Sequence, residues 1–174
     1  MALREIVVLG HPVLRERAEE ITEIDGTLQE LINDLAETMY AAKGLGLAAN
    51  QVAVPKRLFI LDLSQREQNK FPPGLLVFIN PEIVESEGEL YEEEGCLSIP
   101  GYSAKVKRKA RVLVKALDRE GKPFEIELEG LGARAVQHEL DHLNGVLYVD
   151  YLSPLKQKLF KRWWKKHRSG PFPG

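Results

Sequence analysis

The segment His138-Glu139-Leu140-Asp141-His142 carries the most chemical information in this chain. On a helix, side chains four residues apart stand on one face about one turn apart, so both imidazoles can reach a single ion. Glu139 adjoins the first histidine and can touch a water held by that ion. Two histidines and a carboxylate in this pattern suit a metal hydrolase, with the carboxylate as general base. The surrounding residues read as a helix over 131–143 that stops at Asn144-Gly145. Gly145 and Tyr148 continue the spacing of the extended zinc-peptidase motif, but Tyr148 stands where that motif requires a third histidine.

A third ligand must therefore come from elsewhere. Downstream there are Asp150, the only acid after Asp141, and His167. Upstream, Glu94-Gly95-Cys96-Leu97-Ser98 holds the only cysteine of the chain in what reads as a shaped loop. Gly95 frees the backbone before it, and Ile99-Pro100-Gly101 bends the chain after it. As a thiolate, Cys96 would complete a Cys-His-His set with one position open for water. An inert buried thiol is the commoner fate of a free cysteine, but the two-histidine helix weighs against it here. A third segment is Gly44-Leu45-Gly46-Leu47-Ala48-Ala49-Asn50-Gln51. No strand precedes it and no third glycine follows at dinucleotide-binding spacing. Its small residues suit either a tight helix-to-strand connection or a narrow site wall where a ligand approaches the backbone, with the Gln51 amide as a donor.

Around these segments the chain reads as one α+β domain. Thr27-Leu28-Gln29-Glu30 has capping-box form, and Leu28, Leu31, Ile32, Leu35 and Met39 recur at helical spacing, so a helix is expected over 27–43 with Gly44 as its stop. Strands are expected over 57–63 and 75–80, separated by a polar loop ending in Pro72-Pro73-Gly74, with Pro81 ending or bending the second. Residues 110–117 and 123–128 flank the turn Asp118-Arg119-Glu120-Gly121 and read as a hairpin. Ser153-Pro154 opens a last helix to about Arg168, followed by irregular residues 170–174. The expectation is antiparallel or mixed strands packed around a central metal-binding helix, with a C-terminal helix. A catalytic unit over 1–152 and a basic helix and tail over 153–174 would belong to one domain.

Composition excludes other classes. The chain has 174 residues, 44% of them hydrophobic, which rules out a disordered protein. No apolar run approaches the roughly 20 residues needed to span a bilayer, and one cysteine cannot form an intramolecular disulfide. The first residues lack an apolar core of signal-peptide length, and Glu5 and Glu16 argue against a transit peptide, so a cytoplasmic location is expected. The net charge of −2 is unevenly spread: residues 151–174 hold 7 of the 24 Lys and Arg and none of the 26 acids, so the tail carries +7 and the body −9.

Taken together, GLGLAANQ at 44–51, EGCLS at 94–98 and HELDH at 138–142 resemble the peptide deformylase family in its compact bacterial type. The flanks Gly10-His11-Pro12-Val13-Leu14-Arg15 and Asp141-His142-Leu143-Asn144-Gly145 are similar too, and the resemblance covers about residues 3–155. It implies a hydrolase that removes the formyl group from the N-terminal formyl-methionine of new polypeptides, releasing formate and a free α-amine. It implies Cys96, His138 and His142 as metal ligands, Glu139 as general acid/base, and Gln51 with the Leu97 N–H as donors to the developing oxyanion. It implies Fe²⁺ as the resident ion, with Zn²⁺, Ni²⁺ or Co²⁺ able to substitute, although a Cys-His-His set binds Zn²⁺ more tightly than Fe²⁺. On this reading Gly44, Leu45 and Gly46 leave their backbone free to pair with an extended peptide as an added strand. Leu131 and Ala135, seven and three residues before His138, would wall an apolar pocket for the methionine side chain, with Arg134 at the rim through its stem.

Lys156, Lys158, Lys161, Arg162, Lys165, Lys166 and Arg168 fall on the last helix, with Leu155, Leu159 and Trp163 as its apolar stripe and Phe160 and Trp164 beside it. This is either a docked helix with a solvated charged face or a polyanion-binding helix. For a family acting on nascent chains, ribosomal RNA is the natural partner and a membrane is not. His11 reads as structural, and His167, among cations, is a poor ligand. Two competing readings are a metallopeptidase with Asp150 as third ligand and an inactive RNA-binding module on the same fold. Intact catalytic positions weigh against the second.

Overall fold

The computed structural model describes residues 2–64 and 74–167. Most of the expected polar loop before Gly74, the expected helix end at Arg168 and the irregular terminus all lie outside the described residues.

Among the described residues one α-helix precedes seven strands and two α-helices follow them, in an α+β arrangement. Strands β1 (Gly46–Ala48), β2 (Leu58–Leu61), β3 (Leu76–Glu87), β6 (Arg111–Leu117) and β7 (Pro123–Glu129) form a five-stranded sheet in the order β1-β2-β3-β6-β7. Neighbouring strands pair antiparallel. Strands β4 (Leu90–Cys96) and β5 (Ile99–Arg108) form a separate antiparallel ribbon. Helix α1 (Gly26–Ala41) packs Leu28, Leu31, Ile32, Leu35 and Met39 against Leu58, Ile60, Val77 and Ile79. Helix α2 (Leu131–Leu143) packs Ala133, Val136 and Leu143 against Phe59, Phe78, Val112 and Val114. Successive residues of a strand point to opposite faces, so β2, buried along its whole length, serves both helices. Helix α3 (Pro154–His167) closes a third cluster against β5 and the turn at Tyr148–Tyr151.

Local details differ from the sequence reading at several points. Helix α1 is capped by Asp25, whose Oδ1 accepts from the Leu28 N–H at 2.9 Å, so the Thr27–Glu30 capping box is not used. The left-handed residue that ends it is Lys43, with φ 59°, rather than Gly44. Pro81 does not end its strand. β3 runs through it with a register shift between Ile79 and Glu82, and Asn80, at φ 51°, turns its amide onto the backbone of Ile21. The ribbon β4–β5 lies outside the expected strands: β4 has Glu92, Glu93 and Glu94 in succession, and only Tyr102, Ala104 and Val106 alternate on β5. Gly46–Ala48 is an edge strand. The apolar face of α3 is offset from the expected stripe: Phe160 and Trp164 are buried, whereas Leu155 and Leu159 are 67% and 51% exposed. Trp163 is half-buried and packs on the Tyr102 ring at 5.0 Å. Among the described residues no helix is long and apolar enough to cross a membrane.

Candidate active site

Helix α2 delivers both histidines. Its C-terminus is tightly closed: Gly145, at φ 75°, lets its own N–H reach the His142 carbonyl at 3.1 Å while the Val146 N–H reaches Asp141 at 2.9 Å. The two imidazoles lie edge to face with centroids 4.9 Å apart. The end of β4 brings Cys96 to them, its Sγ 3.4 Å from His142 Nε2. Ligand atoms of Cys96, His138 and His142 all fall within 4.8 Å of one another. One thiolate and two imidazoles form a donor set suited to a transition metal or Zn²⁺.

The electrostatics fit a cation at this point. Burial pushes His142 well below the ordinary histidine range, which favours the neutral, ligating imidazole, and its Nδ1 has no partner among the described residues. Burial works against a charged His138, but hydrogen bonding to Cys96 and Glu94 prevails and raises its pKa. A metal ion bound by Cys96 and the imidazoles would replace that proton.

Glu94 is the residue the sequence reading passed over. Its Oε1 sits 3.1 Å from His138 Nδ1, which leaves Nε2 for the cluster. Burial alone would raise the pKa of Glu94, yet Arg108 and His138 bring it down to about 2. Arg108 grips it through Nε at 2.8 Å and Nη2 at 2.9 Å, and reaches Asp141 at 2.6 Å. A register shift between Gly95 and Cys96 interrupts the strand alternation that links Glu94 to Cys96. Arg108 itself, far along β5, leaves no local signal.

Glu139 follows His138 and is 5% exposed, with Oε1 unpartnered among the described residues. Burial pushes its pKa up to about 7, with His138 and Arg108 pulling the other way. Gly46 explains how it fits: a Cβ there would lie 2.8 Å from Glu139 Oε2 and 2.7 Å from Leu61 Cδ2. A Cβ on Gly44 would strike Leu97 Cδ1 at 2.7 Å. The two glycines therefore let β1 and its approach lie against the cluster. Gln51, on the helical turn Ala49–Val52, donates from Nε2 to Ser98 Oγ at 3.1 Å and lies 3.7 Å from Cys96 Sγ.

A cleft of about 830 Å³ opens over this group. Gly44, Leu45 and Gly46 line one side, and Cys96 and Leu97 another. Leu131, Arg134 and Ala135 extend it along α2, together with His138 and Glu139. Arg134 reaches the Glu93 carbonyl through Nη2. Of the residues that the resemblance implies for ligation, catalysis and the methionine pocket, all border the cleft except His142, which lies behind its wall and is 1% exposed. Asp150 is elsewhere: it pairs with Arg15 at 2.7 Å and accepts the Leu147 N–H, which removes it as a third ligand. His167 stacks on Trp163, and His11 accepts the Val13 N–H at the start of a short helical turn.

Residues 3–158 match the family Polypeptide deformylase. The chain belongs to this family. It is 56% identical over 165 residues to the peptide deformylase of Thermodesulfovibrio yellowstonii, covering 95% of this chain and 98% of that one. Among solved structures it is similar to the peptide deformylase of Legionella pneumophila, with TM-score 0.87 and 49% identity over 94% of each chain. It is also similar to that of Ehrlichia chaffeensis in complex with actinonin, with TM-score 0.88 and 37% identity over 97% of this chain and 100% of that one. This deformylase-family chain is therefore a hydrolase of a metal-dependent family, and Cys96, His138 and His142 form a group that could hold a metal ion.

Proposed function

We propose that the chain removes the formyl group from N-formylmethionyl peptides by hydrolysis at this cleft. The observation that carries the proposal is the placement of an unpartnered, buried Glu139 carboxylate and the Gln51 amide on two sides of the Cys96, His138 and His142 cluster. A divalent ion held by those three residues would supply an activated water and a positive charge beside the formyl oxygen. We assign Fe²⁺, with Zn²⁺, Ni²⁺ or Co²⁺ as substitutes.

Glu139 takes the proton of the attacking water on a carboxylate oxygen and passes it to the departing amine nitrogen as the formyl C–N bond breaks. Gln51 Nε2 and the Leu97 N–H stabilise the formyl oxygen as charge develops on it; losing one such donor typically costs ~10²–10³ in rate. The peptide lies extended along the free edge of β1, pairing with the backbone of Gly44, Leu45 and Gly46. Leu131 and Ala135 receive the methionine side chain, and Arg134 covers its rim.

The domain reading, a catalytic unit over 1–152 and a basic helix and tail over 153–174 of the same domain, is supported for the described part of α3 by Phe160, Trp163 and Trp164, which pack in one cluster with Ile99, Val106 and Tyr148. The cations Lys156, Lys158, Lys161, Arg162, Lys165 and Lys166 are exposed, and ribosomal RNA is their proposed partner, in a cytoplasmic protein meeting nascent chains. The deciding test is release of the free α-amine under anaerobic conditions with Fe²⁺, comparing formyl-methionyl with acetyl-methionyl peptides. Release from the formyl peptide alone supports the proposal. No release with metal bound contradicts it.

A further inference from the structure

We propose that Asn50 is a positioning residue that ties the turn carrying Gln51 to the last turn of the metal-binding helix. The inference rests on the role given to Gln51 above. Asn50 is completely buried. Its Nδ2 donates to the His142 carbonyl at 2.9 Å and to the Glu16 carbonyl at 3.3 Å. Both partners can only accept, so the amide orientation is set by chemistry rather than by choice. The same orientation leaves Asn50 Oδ1 buried with no partner among the described residues. An unpartnered buried oxygen is a cost that an apolar side chain of the same size would not carry. Packing alone does not account for an amide here.

The bond to His142 does account for it. His142 is a ligand of the cluster, and its carbonyl already receives the Gly145 N–H, so α2 keeps its own end without Asn50. The four-residue turn Ala49–Val52, which presents Gln51 toward Cys96, is held from the other side by the Val7 N–H on the Gln51 carbonyl and by buried Ala49 and Val52; Asn50 adds its side-chain hydrogen bond to α2. Asn50 and Gln51 are neighbours on that turn, one side chain fastened to α2 and the other aimed at the cleft. Asn50 thus fixes the α2 side of the separation between the metal-binding cluster and the Gln51 amide, whose own side chain is held by the Ala48 N–H and Ser98 Oγ. A misplacement of an ångström in such a donor is enough to slow a reaction severely.

The test is steady-state formate release by the metal-loaded full chain from a formyl-methionyl peptide, with bound metal measured in every sample. The variants are Asn50→Ala, the volume-preserving Asn50→Leu, Gln51→Ala, and each Asn50 change combined with Gln51→Ala. The expected result is about a tenfold fall in kcat for either Asn50 variant, KM within about twofold and unchanged metal content, with no further fall in the Gln51→Ala background. A purely structural role would move folding without this loss of effect in the double variant. Equal losses in both backgrounds, wild-type kcat in the folded Asn50 variants, or a loss explained by missing metal would overturn the proposal alone. Wild-type kcat in Gln51→Ala would overturn the role of Gln51 and this proposal with it.

Discussion

Two buried carboxylates stand beside His138 in opposite condition. Glu94, on the ribbon side, has every oxygen engaged: Arg108 holds both, and one also meets His138. It stays ionised down to a pKa of about 2. Glu139, on the sheet side, has an unpartnered oxygen and a pKa pushed up to about 7 by burial. The difference separates two kinds of work. A fully paired carboxylate fixes a ligand and keeps its charge. A carboxylate denied partners exchanges a proton near neutrality, which is what a general acid/base requires.

The comparison can be broken at either residue. The largest effect is expected for Glu139→Ala: a loss of ~10²–10⁴ in kcat, since that is the usual worth of a positioned acid/base, with metal content unchanged in the same preparation. Next is Gly46→Ala, which pushes on the Glu139 carboxylate without touching its charge. A fall in kcat of about 10² is expected from such a displacement, and a crystal structure of the variant should show the carboxylate moved. On the ribbon side, Glu94→Gln should weaken metal affinity by about 10–100-fold, the usual effect of losing a ligand's hydrogen-bond partner; competition with a chelator measures it. Glu94→Ala should be harsher for folding, because buried Arg108 would keep only Asp141 as an acidic partner and so lose part of the roughly 3–5 kcal/mol that breaking a buried pair costs. The smallest effect lies far from the site. The Ala2 N–H, helped by Arg4, holds Asp34 below its usual 3.8. That contribution is complete above pH 3.8 and disappears as pH falls through the lower folded value. The melting-temperature gap between wild type and Asp34→Asn should therefore be present at pH 7 and close under strong acid.

The same contrast shows what a sequence can disclose. The sheet side was readable because its pattern is periodic: α2 and its His138–His142 spacing, α1, and the β6–β7 hairpin all follow from apolar spacing and turn residues. Cys96 was readable from its chemistry. The ribbon side was not. β4 carries three glutamates in a row, and the apolar side of β5 is short, Tyr102, Ala104 and Val106 between Ser103, Lys105 and Lys107. Glu94 and Arg108 meet only through the pairing of those strands, fourteen residues apart. Asn50 was likewise silent, since its partner His142 is 92 residues away. At Pro81 the second of the two expected outcomes holds, an irregularity within β3 rather than its end, and the stripe expected on α3 is offset because an unbroken helical pattern does not say which of two adjacent faces is covered.

The most direct test puts both carboxylates in one experiment. Formate release from a formyl-methionyl peptide and bound metal should be measured together for wild type, Glu139→Gln and Glu94→Gln. The account predicts that Glu139→Gln keeps its metal and loses release by at least about 10², while Glu94→Gln loses metal and regains release when excess metal is supplied. Release at the wild-type rate by metal-loaded Glu139→Gln would contradict it.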